Sequence, residues 1–372
     1  MIRIGIVLLV PAVLFAACGT KENGEGGGAA GGIPARLGEA YDRGLDFLRA
    51  AGSEGHYGDP GITAIAASAF LSRPGGVRPG DREFVDGLLA HVLGFQKENG
   101  GIYSEGLANY TSCAAVMALK AADRPEYADA VRKAVDFIMT LQTAEGGIGY
   151  SDKTPGWADL SNTQYALESL RAAGVPADAP VFSKALQFLQ RVQNRSESNN
   201  VDYKLEDGRI VVSLDDGGGF YSPTESKADM VEVGDGKWAF RSYGSMTYAL
   251  LKCYLLAGLP KNDPRVRDAV KWIGNHYTLS ENPGFDTAKT PDAGQQGLYY
   301  YYLTMARALT LLGEAKVKDA DGIEHDWKAE MRDRLRAMQR KDGSWANPKD
   351  RWMEGHPVLA TSFALGAFSC CI

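Results

Sequence analysis

Apolar residues along this chain fall into two alternating kinds of stretch. In one kind, Tyr127, Val131, Ala134, Val135, Ile138 and Leu141 recur at helical spacing on one face, while Glu126, Asp129, Arg132, Lys133 and Asp136 point elsewhere. This spacing predicts an amphipathic helix with a wet side. In the other kind the wet side is missing: Ile62 to Leu71, Thr111 to Leu119 and Val358 to Phe368 carry no charge, and Tyr243 to Leu256 carries only Lys252. A helix apolar all round has to be surrounded by protein. The alternation therefore predicts two layers, half-wet helices outside and dry helices inside.

The alternation is a repeat with unequal loops. Each unit is an amphipathic helix ending near Phe or Gln, a Gly-rich aromatic loop, and a dry helix. Clear copies run from Val135-Asp136-Phe137 to Gln142 and then Gly146-Gly147-Ile148-Gly149-Tyr150, and from Leu93-Gly94-Phe95-Gln96 to Gly100-Gly101-Ile102-Tyr103. A third joins Ala337-Met338-Gln339 to Asp342-Gly343-Ser344-Trp345. Weaker copies pair Phe47 with Gly55-His56-Tyr57-Gly58, Phe188 with Gly217-Gly218-Gly219-Phe220, and Trp272 with Gly284-Phe285. About six units result. Six inner helices can close into a ring without a polar capping repeat, so the expected fold is all-α, an (α/α)6 toroid. An open solenoid would need polar terminal helices, and the last dry helix runs into Gly366-Ala367-Phe368-Ser369-Cys370-Cys371. The fourth unit carries an insertion over 195–242, where Tyr203 to Glu206, an Asp207-Gly208 turn and Arg209 to Val212 form a hairpin signal.

The Phe-x(4)-Gln followed by Gly-Gly or Gly-x-Trp resembles the QW-type repeat of the prenyltransferase and squalene-hopene cyclase superfamily, over essentially everything after the first 36 residues. The resemblance implies the toroid and says little about activity. Its catalytic signatures are missing. A squalene-type cyclase protonates an alkene with an Asp-x-Asp-Asp acid, and the nearest string here is Ser213-Leu214-Asp215-Asp216, inside the insertion. Asp159 is better placed but single. The zinc-binding Asp-x-Cys pair of prenyltransferase β subunits and the Cys-Gly-Glu-Gln string of thioester toroids are also absent. No metal or cofactor is implied.

The Gly-rich loops all precede dry helices, so they share one end of the ring. There the helix N-termini offer positive partial charge and N–H groups to an anionic or electron-rich ligand. The candidate acid and base groups at this mouth are Asp159, Glu354 and His356, and the candidate ligand-binding residues are Trp157, Asn162, Gln164, Arg241, Gln296, Tyr299 and Trp352. Ser161 and Gln164 also fit a Ser-x-x-Gln capping box, which would leave Asp159 and Asn162 free. The consecutive Tyr299 to Tyr302 cannot all face one cavity, so some must pack between helices. His356, before Pro357, also reads as an exposed loop residue.

The chain start sets the compartment. Met1-Ile2-Arg3, an apolar run to Ala17 and Phe15-Ala16-Ala17-Cys18 have the layout of an export signal. Cys18 after Ala-Ala resembles a bacterial lipobox, which implies that it is acylated and anchors the chain to a membrane of the cell envelope. Residues 19–36, rich in Gly, cannot bury enough apolar surface to fold and are expected to be a tether to a single domain over 37–372. A net charge of -6 gives no basic footprint for nucleic acid. Export also argues against cytosolic prenyl diphosphates as substrates. Two functions remain: a ligand-binding or scaffolding toroid for a small molecule, glycan or protein, and an enzyme acting in the toroid cavity, cyclase-like or polysaccharide-lyase-like.

Overall fold

The computed structural model describes residues 35–52, 54–151 and 156–372. The export signal, Cys18 and the Gly-rich stretch up to residue 34 lie outside the described residues. The first helix, α1 (Ala35–Ala51), begins two residues before the domain start expected from composition. It is followed by α2 (Pro60–Leu71), α3 (Arg82–Leu93), α4 (Ala108–Ala122), α5 (Ala128–Thr140), α6 (Leu160–Ala172) and α7 (Pro180–Arg191). After the long 195–242 segment come α8 (Gly244–Leu256), α9 (Pro264–Asn275), α10 (Leu298–Leu312), α11 (Trp327–Met338) and α12 (Pro357–Ser369).

The dry helices are the even-numbered ones. Each packs on the next, α2 on α4, α4 on α6, α6 on α8, α8 on α10 and α10 on α12, and α12 returns to α2. Hydrogen bonds between their first turns, such as Asn109 Nδ2 to the Asn162 carbonyl at 3.1 Å, show that neighbours run parallel. Odd-numbered helices lie outside and turn one face inward: α5 buries Val131, Ala134, Val135, Phe137 and Ile138 and leaves its charges in water. The result is a mostly helical architecture, with twelve α-helices among the described residues.

The repeated Gln and Gly hold adjacent units together. Gln142 Nε2 donates to the Gly146 carbonyl of its own loop at 2.9 Å and to the Val181 carbonyl of α7 at 2.8 Å. Gln96 does the same to Gly100 and to Ala130 of α5, and Gln193 to Gly217 and to Arg265 of α9. Gln339 reaches Gly343 and, across 299 positions of sequence, the Ala40 carbonyl of α1, so one motif both links units and closes the ring. Each of these glycines has positive φ, and a Cβ on Gly146 would lie 1.9 Å from the Lys184 carbonyl oxygen. Only glycine lets the loop approach the next outer helix this closely.

Within 195–242, β1 (Tyr203–Lys204) pairs antiparallel with β2 (Ile210–Val211) around Asp207-Gly208. β3 (Met230–Gly234) and β4 (Lys237–Phe240) complete a sheet of order β1-β2-β4-β3. Asn194 staples the base, donating to the Phe240 carbonyl and Ser242 Oγ and accepting from Leu214 N. A second pair, β5 (Val317–Lys318) and β6 (Glu324–His325), lies between α10 and α11. Cys113 and Cys253 are free thiols buried in inner helices.

Candidate functional site

The mouth of the ring is where the inner helices begin, and its N–H groups are largely spent within the protein. Asp59 Oδ1 caps α2 by accepting from Ile62 N. Asn109 N of α4 donates to the Tyr150 carbonyl, Leu160 N of α6 to that of Tyr221, and Gly244 N of α8 to that of Pro283. The N-cap of α10 is Gly297, which has no side chain to offer, so Glu354 supplies the acceptor from the loop before α12. Its Oε1 takes the Tyr300 N–H at 2.7 Å and its Oε2 takes Asn347 Nδ2 at 2.8 Å. Burial raises the Glu354 carboxyl above the usual range and these donors oppose the rise. The free anion-binding N–H groups expected at the mouth are therefore mostly occupied, and Glu354 is one of the groups that occupies them.

Asp159 is the N-cap of α6. It is fully buried; Oδ1 accepts from Asn162 N at 2.8 Å and Oδ2 from Asn162 Nδ2 at 2.7 Å. Asn162 in turn accepts from Asn109 Nδ2 at 3.0 Å, which ties α6 to α4. Burial pushes the Asp159 carboxyl up to about 6, against hydrogen bonds from Asn162, Tyr221 and the Ser161 backbone. The capping box expected of Ser161 and Gln164 is not formed: Asp159 holds the cap, and those two side chains face the ring axis.

There they meet tyrosines from across the ring. Ser161 Oγ accepts from the Tyr110 hydroxyl of α4 at 2.6 Å and lies 2.7 Å from the Tyr300 hydroxyl of α10. Gln164 Nε2 donates to Tyr300 at 3.1 Å, while its buried Oε1 has no partner among the described residues. In the order α2, α4, α6, α8, α10, α12, helices α4 and α10 are opposite one another. The Tyr110–Ser161–Tyr300 chain thus spans a diameter. Tyr165 packs edge-on to Tyr110 and stacks on Tyr300, and Phe363 of α12 meets Tyr300 edge-on. Below this plug lies a small axial hollow of about 20 Å³, room for about one water.

Of the expected aromatic ligand residues, Trp157 is half-buried and stacks on Tyr150, centroids 5.2 Å apart. Trp352 is exposed, lies under the Arg351 guanidinium and covers Gly297. Tyr299 points off the axis and packs edge-on to Tyr302; of the four tyrosines it is Tyr300 that reaches the axis, as helical spacing permits for only one or two. Tyr301 and Tyr302 are held by the Thr278 and Leu279 carbonyls. Arg241 pairs with Asp286 at 3.3 Å and Gln296 accepts from Arg351. His356 is exposed at the start of α12, opposite α6, so the candidate acid and base, Asp159 and His356, sit on opposite sides of the mouth. Asp216 of the Ser213-Leu214-Asp215-Asp216 string accepts from Ser242 Oγ, Trp272 Nε1 and Gly218 N, which makes it a staple at the base of the 195–242 segment.

Sequence reasoning passed over Ser161 as an axial residue and missed Tyr110, Tyr165 and Tyr300 as a set. One signal was present. Asp159-Leu160-Ser161-Asn162 has the spacing of the Asp-x-Asp-Asp string at the start of an inner helix, with a hydroxyl and an amide in place of the later two acids.

Nothing among protein-family models or curated proteins matches the chain. Its fold is similar to that of solved structures. A variant of the type II terpene cyclase MstE from Scytonema, in complex with the product merosterolic acid A, aligns with TM-score 0.55 at 13% identity over 90% of this chain and 96% of that one. A protein from Actinoplanes aligns with TM-score 0.54 at 14% identity over 90% and 99%. These likenesses establish a terpene-cyclase-like helical fold.

Proposed function

We propose that this chain is a non-catalytic binding or scaffolding toroid of six helix pairs. In this reading it is anchored to a membrane of the cell envelope through lipid on Cys18 and engages its ligand at the mouth. The observation that carries the reading is the hydrogen-bonded tyrosine plug across the axis. A ligand cavity for a drug-sized molecule is on the order of 300 Å³ or more, and the axial hollow is about 20 Å³. The substitutions agree. At the axis-facing position of the cyclase-like string stands Ser161, and a hydroxyl is far too weak an acid to protonate an alkene. The mouth offers instead the Trp157–Tyr150 stack and exposed Leu107, Trp352 and Met353, each of these three with positive φ. Such strained, exposed apolar residues cluster at binding surfaces.

One observation favours the enzymatic alternative: Asp159 is a buried carboxyl raised to about 6, beside Tyr150 and Tyr221. Its oxygens are engaged by Asn162, however, and they face the cap rather than the axis. Incubating the protein with squalene and with a geranylgeranyl arene, followed by mass spectrometry, tests the reading. No cyclised product is expected; product that disappears in Asp159→Asn would overturn it.

A further inference from the structure

The inner ring carries a second polar cluster, below the plug. Glu168 of α6, Lys252 of α8 and Arg307 of α10 come from three successive inner helices at one height. Lys252 Nζ lies 2.5 Å from Glu168 Oε2 and Arg307 Nη1 lies 2.9 Å from Glu168 Oε1. One carboxylate thus serves two cations, and among the described residues neither cation has another ion-pair partner. The Glu168 and Lys252 side chains are almost wholly buried and that of Arg307 is 24% exposed. Two positive groups and one negative leave one positive charge uncompensated inside the barrel, which a low-dielectric interior penalises. The negative end of α10 does not supply the balance: Arg307 stands more than a turn before Leu312, and the helix field is confined to the last turn.

The axial hollow lies against this cluster. It is walled by Ser68 and Ala69 of α2, Ala114 of α4, Tyr165 of α6, Arg307 itself and Gly366 of α12. Ser68 spends its hydroxyl on the Ala64 carbonyl of its own helix. Tyr165 is 95% buried by its 5% exposure, and its hydroxyl has no hydrogen-bond partner among the described residues. A spare cation and a spare O–H donor therefore border one hollow of about 20 Å³, big enough for a single water-sized or halide-sized species and too small for an organic acid.

We propose that this hollow is a binding site for a small monovalent anion of chloride size, held by the Arg307 guanidinium and the Tyr165 hydroxyl. The anion completes the charge of the Glu168, Lys252 and Arg307 cluster and stiffens the lower half of the ring. The site is separate from the mouth and stands whether or not the mouth binds a partner. Two measurements test it. Crystals of the protein grown in bromide should give one buried anomalous peak within hydrogen-bonding distance of Arg307 and Tyr165, lost in Arg307→Gln. In solution, replacing gluconate by chloride at constant ionic strength should raise Tm saturably, on the order of 2 °C, and Tyr165→Phe, which keeps the ring packing, should reduce the rise. No bromide peak, or a rise undiminished in both variants, would overturn the proposal; Lys252 would then balance the cluster by shedding its proton.

Discussion

At the scale of single residues, Asp159 shows how one choice of cap decides what the axis contains. Two overlapping signals compete at the start of α6, Asp159 for the Asn162 N–H and Ser161 with Gln164 for a box two residues later. Local sequence does not separate them. The contest is decided by partners 51 and 139 positions away, Tyr110 and Tyr300, which take the Ser161 hydroxyl and leave the cap to Asp159. The buried cap has a measurable signature. The Asp159 carboxyl ionises near 3.8 when unperturbed and near 6 in the fold, so the native state holds the proton more tightly. Its stabilising contribution is complete below about pH 4 and is lost as pH rises through about 6, an effect on the order of 3 kcal/mol. In Asp159→Asn, chemical denaturation across pH 4 to 6 should show a flatter stability profile than the native protein. Equal slopes in the two would mean that Asp159 does not titrate as described.

At the scale of elements, the Gln and Gly of the repeat act as joints between units. Gly146→Ala would force a Cβ onto the Lys184 carbonyl at a φ of +91°, and the expected loss is about 2 kcal/mol or more in an equilibrium unfolding experiment. Gln142→Ala removes two hydrogen bonds from a partly buried amide, at about 1 kcal/mol each. By contrast, Gln190→Ala should cost little, because Gln190 bonds only within its own helix. These joints were legible in sequence wherever Gln and Gly stand close together, as at Gln96, Gln142 and Gln339. Gln193 was not recognised, because the chain leaves the ring between it and Gly217. The layer of each helix was legible for a different reason: burial on one side or on all sides writes itself into the polarity of every turn. The axial charges were less so. Glu168, Lys252 and Arg307 look like isolated exceptions on separate helices until ring closure brings them to one height.

At the scale of the whole molecule, ring closure explains both what the mouth offers and what the axis lacks. Parallel inner helices converge their first turns at one end, and the protein caps most of them with its own carbonyls and carboxylates. The same convergence lets tyrosines from opposite helices meet over Ser161. The sequence could place Tyr300 on an inner helix but not at the axis, since register around the ring depends on packing with α8 and α12. Truncating the plug should open the space: Tyr300→Ala is expected to cost about 3–5 kcal/mol while creating an axial cavity able to take an apolar guest. The central claim, that the native axis is closed to a polyene chain, is tested most directly by crystallising the native protein and Tyr300→Ala in the presence of geranylgeraniol. The native protein should show an axis free of geranylgeraniol, with the Tyr110–Ser161–Tyr300 bridge intact, and the variant alone should show density for the chain. Geranylgeraniol threaded along the axis of the native protein, with those tyrosines swung aside, would contradict that claim.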